Sequence, residues 1–564
     1  MRWLVHADED GGGRLAPLPD APSAAPAPLE GVRAVAGLAE AVRSLEAEQR
    51  PRWIWADTAR VYPELLRAGV RVERCHDVVL VDEILAARAG RFGAPRTLGA
   101  AYARLHDLPI PDVGRMTAAT EASGGDGPRQ AALFEPDDSG LPADLDPLAA
   151  LLEVFQAHTR QLEAEGAAGL RLLAAAESAG ALAAAEMTHA GLPLDPALHS
   201  AQLTETLGAQ PAFGGPGARP AKLQELADQV AQALHSPTLN PDSPAQLLKA
   251  LSASGLPVSS TRAWELRELD HPGVPLLLEY KELARLYSAN GWTWLRAWVR
   301  GGRFRPEYVV GGVVTGRWAS RGGGALQLPA MVRRAVVADP GWTFVVADAG
   351  QLEPRVLAAV SADRGLARAA QAEDLYTELG DLFGGDRSKA KLGLLGAMYG
   401  QTSGEVGPLL VTLRRRFPQA IGLVDEAAKA GIEGRVVYTR LGRACPPPSA
   451  RWQRLVGGAD GEARADQVRH DRGRFTRNFV IQGSAAEWAL ALLATLRQKL
   501  AGTSAEMVFF LHDEVVLHCE LADAERVREA VTASAREASR LVFGPTPVRF
   551  PLHLATVACY ADAK

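Results

Sequence analysis

Residues 343–363 have the sequence TFVVADAGQLEPRVLAAVSAD, and this stretch predicts a strand followed closely by a helix. A β-branched and aromatic run ends at Asp348, and a helical pattern begins within a few residues. Because Pro354 is tolerated in the first turn of a helix, we expect the helix to start at Glu353 or just before it. An aspartate between a strand and a helix is usually an N-cap, so this position alone is weak evidence for catalysis.

A second stretch, residues 507–520, has the sequence MVFFLHDEVVLHCE. Apolar runs flank His512, Asp513 and Glu514, a pattern typical of a tight hairpin with two carboxylates at its tip. A polar hairpin tip is common and is weak evidence by itself. Together, however, Asp348 and Asp513 on two strand ends would suit a pair of Mg²⁺ ions about 3.5–4 Å apart, as phosphoryl transfer requires.

The residues around both aspartates resemble two motifs of the family A DNA polymerases, the DNA polymerase I family. DAGQLEPR resembles motif A, DYSQIELR, and LHDEVVLHCE resembles motif C, VHDE. The resemblance implies that Asp348 and Asp513 bind two Mg²⁺ ions, with Mn²⁺ as an alternative, and that Glu514 assists them in catalysis. It also implies that Gln351 and Glu353 bind the incoming nucleotide, with Glu353 limiting the space for a ribose 2′-hydroxyl.

Arg387, Lys391, Leu395 and Tyr399 occupy every fourth position of DRSKAKLGLLGAMYG. On a helix each such step turns by only about 40°, so these side chains share one side of the helix. Two cations one turn apart repel unless an anion lies between them, and a triphosphate would supply one. Taken alone, such a pattern is more often a solvated surface.

The same four residues resemble motif B of the family, R-x₃-K-x₃-[FY]-x₃-YG. This resemblance implies that Arg387 and Lys391 hold the β and γ phosphates of the incoming nucleotide, that Lys391 also serves catalysis, and that Tyr399 packs beside the template base and the sugar. Leu395 replaces the aromatic residue of the motif. We therefore expect weaker stacking on the incoming base.

Two further regions resemble DNA-contacting parts of the family. TGRWAS at 315–320 with LQLP at 326–329 resembles TGRLSS…LQNIP, one residue short in its second half, and RFTRNFVIQG at 474–483 resembles R-x₃-N-x₃-Q-G. The resemblance implies an arginine in the minor groove at the primer end and a helix that contacts template and primer. The implied DNA-binding residues are Arg317, Gln327, Arg474, Asn478, Gln482 and His512.

LNPDSPAQLL at 239–248 and LEYKELARL at 278–286 resemble thumb segments, so the resemblance extends from about residue 177 to the C-terminus. It implies an α+β multidomain fold: a right-hand palm, thumb and fingers polymerase preceded by a small α/β exonuclease-like (RNase H-like) domain. We expect the polymerase domain over residues 166–564, with the thumb at about 190–300, the palm at about 301–363 and 500–564, and the fingers at about 364–499.

Residues 1–165 are expected to form the exonuclease-like domain, with a Gly, Ser, Asp, Ala and Pro-rich linker at about 111–145. A strongly helical segment is expected from about 148 to about 190. A 3′–5′ exonuclease of this family needs D-x-E, a second Asp and a Y-x₃-D helix. The chain offers Asp77 and Asp82, as well as DED at 8–10. The nearest match to Y-x₃-D, at 102–106, ends in histidine. We therefore expect a domain retained in structure but without exonuclease activity.

The composition is that of a globular protein, with 47% hydrophobic and 23% charged residues among 564. No apolar run approaches roughly 18 residues, and no signal peptide is evident, so we expect a cytoplasmic protein without membrane contact. We also expect it to be associated with the nucleoid and to be a monomer. Four cysteines without CxxC spacing argue against a zinc site and disulfides. The net charge of −5 does not indicate nucleic-acid binding, but residues 433–477 carry ten Arg against five acids, as a phosphate-binding groove requires.

The sequence predicts a DNA-templated DNA polymerase that acts on primer-template DNA and deoxynucleoside triphosphates, in repair or replication, without proofreading. The alternative is a catalytically weak or inactive polymerase-like protein that binds nucleic acid. Leu395 favours that alternative, as do Ala349 and Gly350, which replace Tyr-Ser in motif A. A third hypothesis, an active 3′–5′ exonuclease, depends on carboxylates that we do not find.

Overall fold

The structure, a computed structural model, describes residues 1–18, 29–111, 140–142, 144–211, 218–321, 323–324, 328–401, 404–458 and 462–563. Most of the predicted linker and the predicted site residue Gln327 lie outside the described residues. The described residues form 14 strands and 22 α-helices.

The strands are β1 Arg2–Ala7, β2 Gly13–Leu18, β3 Arg33–Val35, β4 Arg52–Trp55, β5 Arg74–Asp77, β6 Leu192–Pro193, β7 Val299–Arg300, β8 Arg303–Phe304, β9 Glu307–Val309, β10 Ala319–Arg321, β11 Trp342–Ala349, β12 Glu506–Leu511, β13 Glu514–Glu520 and β14 Leu552–Val557. The helices are α1 Leu38–Gln49, α2 Thr58–Arg67, α3 Val78–Arg88, α4 Leu98–Leu105, α5 Pro147–Glu163, α6 Ala168–Ala190, α7 Pro196–Leu207, α8 Ala221–Ala233, α9 Pro244–Ala253, α10 Ala263–Leu266, α11 Gly273–Asn290, α12 Trp292–Trp298, α13 Ala330–Arg333, α14 Leu352–Ser361, α15 Arg364–Ala369, α16 Leu375–Gly380, α17 Arg387–Tyr399, α18 Val406–Arg416, α19 Pro418–Ile432, α20 Ala450–Gly457, α21 Glu462–Lys499 and α22 Ala524–Phe543.

The N-terminal strands form a five-stranded sheet in the order β3-β2-β1-β4-β5. β1 pairs antiparallel with β2, whereas β4 is parallel to both β1 and β5. Successive residues of β4 point to opposite faces: Trp53 and Trp55 lie in one apolar cluster and Ile54 in another. Both faces of this sheet are therefore buried, as the predicted small α/β arrangement requires.

The segment predicted as strongly helical from about 148 to 190 forms two helices. α5 ends at Glu163 and α6 begins at Ala168. Gly166, between them, has φ of +80°, a left-handed conformation that the interior of a helix does not admit. The predicted helical segment is confirmed, and a single glycine interrupts a pattern otherwise dominated by alanine and leucine.

The C-terminal region contains a four-stranded sheet in the order β12-β13-β11-β14. Its central strands contribute to the largest apolar cluster, which includes Val345 and Ala347 from β11 and Val515 and Leu517 from β13. Helix α21 adds the fully buried Trp488. Strand ends anchored in such a core are held in place, which suits them to carry site residues.

The chain divides into two compact units. The first comprises Met1–His189, Tyr308–Ala319 and Val345–Ala555, and the second comprises Ala190–Glu307, Ser320–Phe344 and Thr556–Lys564. Within the second unit, α8 and α11 share an apolar cluster that contains Leu226 and Leu277, and the Tyr280 hydroxyl donates to Asp242 at 2.7 Å. The thumb, palm and fingers boundaries stay a prediction.

Two helices, α6 and α21, are long and apolar enough to cross a membrane by length and composition alone. Within their apolar windows, 61% of α6 and 83% of α21 is buried inside the protein. Core helices of globular proteins meet the same criterion, so the finding is weak evidence for a membrane span.

Candidate active site

Asp348 lies in β11, one residue before the strand ends. The next helix, α14, starts at Leu352, directly before Glu353, which confirms the predicted start. Gln351 occupies the N-cap position with φ of +56°, and no side chain caps this helix. Asp348 is thus not the helix cap that such a position usually provides, and its side chain is half-buried.

The predicted hairpin is confirmed: β12 and β13 pair antiparallel, and His512 and Asp513 form the turn between them. His512 has φ of +59°, Asp513 is half-buried and Glu514 is buried. The backbone N–H of Ala349 donates to the carbonyl oxygen of Asp513 at 3.1 Å. The backbone that follows Asp348 therefore meets the tip of the hairpin.

The four residues predicted to share one side of a helix lie on α17, which starts at Arg387 and ends at Tyr399. The Asp386 side chain caps the helix. Arg387, Lys391 and Tyr399 are exposed and Leu395 is half-buried, while the opposite side of the helix joins the core. These four residues share one solvent-facing side, as predicted.

A carboxylate that the motifs did not indicate, Asp374, connects motif A to α17. Its Oδ2 accepts from Arg387 Nε at 2.9 Å, and its Oδ1 accepts from Gln351 Nε2 at 2.9 Å. Burial opposes ionisation of Asp374, but hydrogen bonds from Thr377, Arg387 and Gln351 outweigh it and lower the pKa of this carboxyl. In the sequence, Asp374 directly precedes α16, a position that indicates a helix cap and gives no indication of contacts with Gln351 and Arg387.

Gln351 has a second role in the same network. Its Oε1 accepts from Arg355 Nη2 at 3.2 Å and from the Leu375 N–H at 2.8 Å. Arg355 is fully buried and donates to several backbone carbonyls, among them that of Ala370 at 2.8 Å. Motif A is therefore fixed to the start of α16 before any ligand binds.

Glu353 has two partners among the predicted site residues. Arg317 forms an ion pair with it, and the Tyr399 hydroxyl donates to its Oε2 at 2.6 Å. Partial burial and this hydrogen bond raise the pKa of Tyr399. Partial burial and the charge of Arg317 lower the pKa of His512. Residues predicted for the sugar, the minor groove and the primer end thus form one polar cluster.

The residues predicted from R-x₃-N-x₃-Q-G lie on α21. Arg474 is exposed and pairs with Asp471 at 3.0 Å, while Asn478 and Gln482 are half-buried. The Oδ1 of Asn478 is buried and has no hydrogen-bond partner among the described residues. A buried acceptor of this kind usually bonds to an ordered water.

The basic stretch 433–477 is not open to solvent along its whole length. Arg443 is buried and paired with Glu177, and Arg477 is buried and paired with Asp425. The prediction of a phosphate-binding stretch was wrong for these two arginines. A local charge count cannot distinguish an arginine that folds inward from one that faces solvent.

The acids considered for an exonuclease site are hydrogen-bonded within the fold. Asp77 is fully buried and accepts from the backbone N–H groups of Thr58 at 2.7 Å and Leu80 at 2.9 Å. Asp82 forms a largely buried ion pair with Arg104. Both carboxylates stabilise the local structure.

Asp348 and Asp513 supply hard oxygen donors of the kind that Mg²⁺ prefers. In the part of the chain that the structure describes, no group of three or more His, Cys, Asp and Glu side chains is placed to hold a metal ion. Mg²⁺ commonly binds through one or two carboxylates and completes its shell with water and substrate phosphates. Two half-buried aspartates fit that mode of binding.

The family model of DNA polymerase family A matches residues 218–555, more than half of the chain. The chain belongs to this family. The thermostable DNA polymerase I of Thermus aquaticus is 28% identical over 321 residues, and that of Thermus thermophilus is 30% identical over 318 residues. Each alignment covers 51% of this chain and 36% of the relative, so the chain matches only about a third of the length of these family A polymerases.

A solved structure adds evidence on the fold. The polymerase domain of Pol1 from M. smegmatis, in complex with a DNA primer-template and dNTP, matches with a TM-score of 0.72 at 19% identity. The match covers 100% of this chain and 95% of that chain. At this identity the likeness shows the fold alone, and it confirms the predicted α+β polymerase fold of family A. The exonuclease-like assignment of the N-terminal region stays a prediction.

Proposed function

We propose that this family A chain is a DNA-templated DNA polymerase that adds deoxynucleotides to a primer 3′-hydroxyl by two-metal phosphoryl transfer. The proposal depends most on the 3.1 Å hydrogen bond between Ala349 and Asp513, which joins the end of the strand that carries Asp348 to the hairpin turn that carries Asp513. Two carboxylates held about 4 Å apart to share a pair of Mg²⁺ ions would, without those cations, repel by roughly 4 kcal/mol at an effective dielectric of 20.

Asp348 and Asp513 would hold two Mg²⁺ ions, for which Mn²⁺ can substitute. When bound, the ions activate the primer 3′-hydroxyl and neutralise the charge of the leaving pyrophosphate. Glu514, buried next to Asp513 in the chain, would orient that aspartate.

The triphosphate would bind to Arg387 and Lys391. Support comes from their exposure on one side of α17 and from the Asp374 contact, which already orients Arg387 towards motif A. Leu395 would offer an apolar contact to the base without aromatic stacking. Glu353, held by Tyr399, would crowd a ribose 2′-hydroxyl and so favour deoxynucleotides.

The primer-template DNA would contact residues from three parts of the chain. The ion pair of Arg317 with Glu353 supports a position of Arg317 beside motif A, and His512 is exposed in the hairpin turn that precedes Asp513. The exposure of Arg474 supports a DNA contact on α21. The proposed DNA-binding residues are Arg317, Gln327, Arg474, Asn478, Gln482 and His512.

Primer extension with Mg²⁺ tests this function. We expect the wild-type chain to extend a primer, and Asp348→Ala and Asp513→Ala to abolish extension. Glu520→Gln is the matched control, because Glu520 ends the same strand β13 and is exposed. If the wild-type chain binds primer-template DNA but extends it with neither Mg²⁺ nor Mn²⁺, the polymerase-like binding protein is the better description.

We also propose that the N-terminal region has no 3′–5′ exonuclease activity. Support comes from Asp77 and Asp82, whose carboxylates are already bonded within the fold. Incubation with a labelled single strand and Mg²⁺, without nucleotides, should leave the strand intact. Degradation that disappears in Asp82→Asn would contradict the proposal.

The proposed setting is DNA repair or replication in the cytoplasm, on the nucleoid, with the chain as a monomer. Family membership supports this setting. Light scattering during size-exclusion chromatography tests the monomer, and a dimer mass would contradict it.

A further inference from the structure

The loop that carries Arg317 is held by an arginine from the N-terminal region. Arg96, which lies between α3 and α4, donates to the carbonyl oxygen of Val310 through Nη1 at 3.2 Å and to that of Gly311 through Nη2 at 2.6 Å. The same Nη2 pairs with Glu83 of α3 at 2.6 Å. One guanidinium therefore fixes two consecutive peptide groups of this loop.

The other end of the loop lies against a buried ion pair. Arg443 pairs with Glu177 of α6, which is 1% exposed. A Cβ atom at Gly316 would lie 2.6 Å from Arg443 Nε, and Gly316 has φ of +84°, so only glycine fits there. Gly316 directly precedes Arg317. The packing of Arg443 against Gly316 therefore restricts the backbone position next to Arg317.

A second arginine of the N-terminal region supports Arg443 in turn. Arg88, the last residue of α3, donates to the carbonyl oxygen of Gly442 at 3.3 Å, and its guanidinium lies 5.1 Å from the centre of the Tyr438 ring. Two arginines from one short segment thus bind backbone carbonyls in the loop that carries Arg317 and next to Arg443, which contacts that loop.

We propose that the N-terminal region, through Arg96 and Glu83, is a positioning element for the loop that presents Arg317 to the primer end. The inference rests on the proposed polymerase function. It gives the N-terminal region a role that does not depend on exonuclease chemistry. Arg96 touches neither DNA nor nucleotide in this role, and it acts through the backbone at Val310 and Gly311.

Hydrogen exchange on the full chain tests the contact without reference to activity. In Arg96→Ala, amides of residues 308–319 should exchange faster by on the order of tenfold, the factor expected for a lost charge-assisted hydrogen bond. Exchange in α21 should stay unchanged. Arg96→Lys should give a smaller increase because an ammonium cannot donate as a fork. Arg91→Ala is the control, since Arg91 is exposed in the same connection.

Primer extension then tests the consequence for Arg317. In Arg96→Ala, the ratio of extension rates on paired and mispaired primer ends should fall severalfold, while KM for the nucleotide stays near the wild-type value. Unchanged exchange at 308–319, a uniform increase along the chain, or an unchanged ratio despite faster local exchange would each overturn the inference. If the wild-type chain extends no primer, the proposed polymerase function fails, and the exchange result still decides whether Arg96 holds the loop.

Discussion

Asp77 and Asp348 occupy similar positions in sequence but different surroundings in the fold. Asp77 ends β5 directly before α3, and Asp348 lies one residue from the end of β11, shortly before α14. Asp77 is fully buried and accepts two backbone hydrogen bonds. Asp348 is half-buried, and the cap position of its helix is occupied by Gln351.

This difference separates an acid that is fully buried, Asp77, from acids that are partly exposed, Asp348 and Asp513. Burial and the nearby charge of Asp57 raise the pKa of Asp77 to about 7, which favours a neutral carboxyl. A carboxylate that binds a cation must instead be ionised and reachable. Asp348 and Asp513 are reachable because each is only half-buried. Asp77 and Asp82 are buried and are not reachable.

The largest expected effect is a contrast between Asp348 and Asp77. Substitution of Asp348 should lower activity, whereas substitution of Asp77 should change stability. Asp348→Asn should lower single-turnover primer extension by on the order of 10³-fold, because metal-assisted charge stabilisation contributes several kcal/mol. Its melting temperature should stay near the wild-type value. Asp77→Asn should keep the rate and change the melting temperature. Similar activity losses in both variants would remove the distinction.

The next effect concerns the buried pair of Asp82. Asp82→Ala leaves Arg104 buried without its carboxylate partner, and we expect a loss of about 3–5 kcal/mol in the free energy of unfolding. Glu40→Ala is the control, because its pair with Arg43 is exposed on α1. That variant should change stability by less than about 1 kcal/mol. Urea denaturation measures both values, and equal losses would contradict the assignment of Asp82 as a structural acid.

The pH dependence of stability should have opposite signs for the two buried acids. The pKa of Asp77 is raised in the folded chain, so the stability it contributes relative to Asp77→Asn should fall as pH rises from about 4 to about 7. Burial opposes the ionisation of Asp82, but His158 and Arg104 outweigh it and lower the pKa of Asp82. Its contribution should therefore be present above about pH 4 and disappear on acidification below that. Denaturation of the wild type, Asp77→Asn and Asp82→Asn from pH 3 to pH 8 measures the free energy of unfolding at each pH. If the three curves of free energy against pH are parallel, the prediction is incorrect.

The smallest effect concerns Glu353. This carboxylate is partly exposed, as Asp348 is, and it is also ion-paired within the fold, as Asp82 is. Tyr399→Phe removes the 2.6 Å hydrogen bond, and discrimination against ribonucleotides should weaken by about fivefold, as expected for one hydrogen bond. Relative kcat/KM values for matched ribo- and deoxynucleotides measure it. Tyr438→Phe, at a tyrosine of similar exposure, should leave the ratio unchanged.

Several local features followed from sequence alone. The end of β11 near Asp348, the start of α14 before Glu353, the hairpin at His512 and the shared side of α17 all depend on periodicity and on residues adjacent in the chain. Such patterns act through neighbouring φ and ψ angles and through burial of one side. The interruption at Gly166 was missed because one residue contributes little to a periodic pattern.

The tertiary structure decided which polar groups meet. No sequence pattern indicated that Asp374 would bind both Gln351 and Arg387, or that Arg96 would hold a carbonyl 214 positions away. The tertiary structure also decided that Asp77 is fully buried while Asp348 is only half-buried. Local sequence determines whether a residue ends a strand, because that depends on its neighbours. What surrounds its side chain depends on packing between distant segments, which only the folded chain specifies.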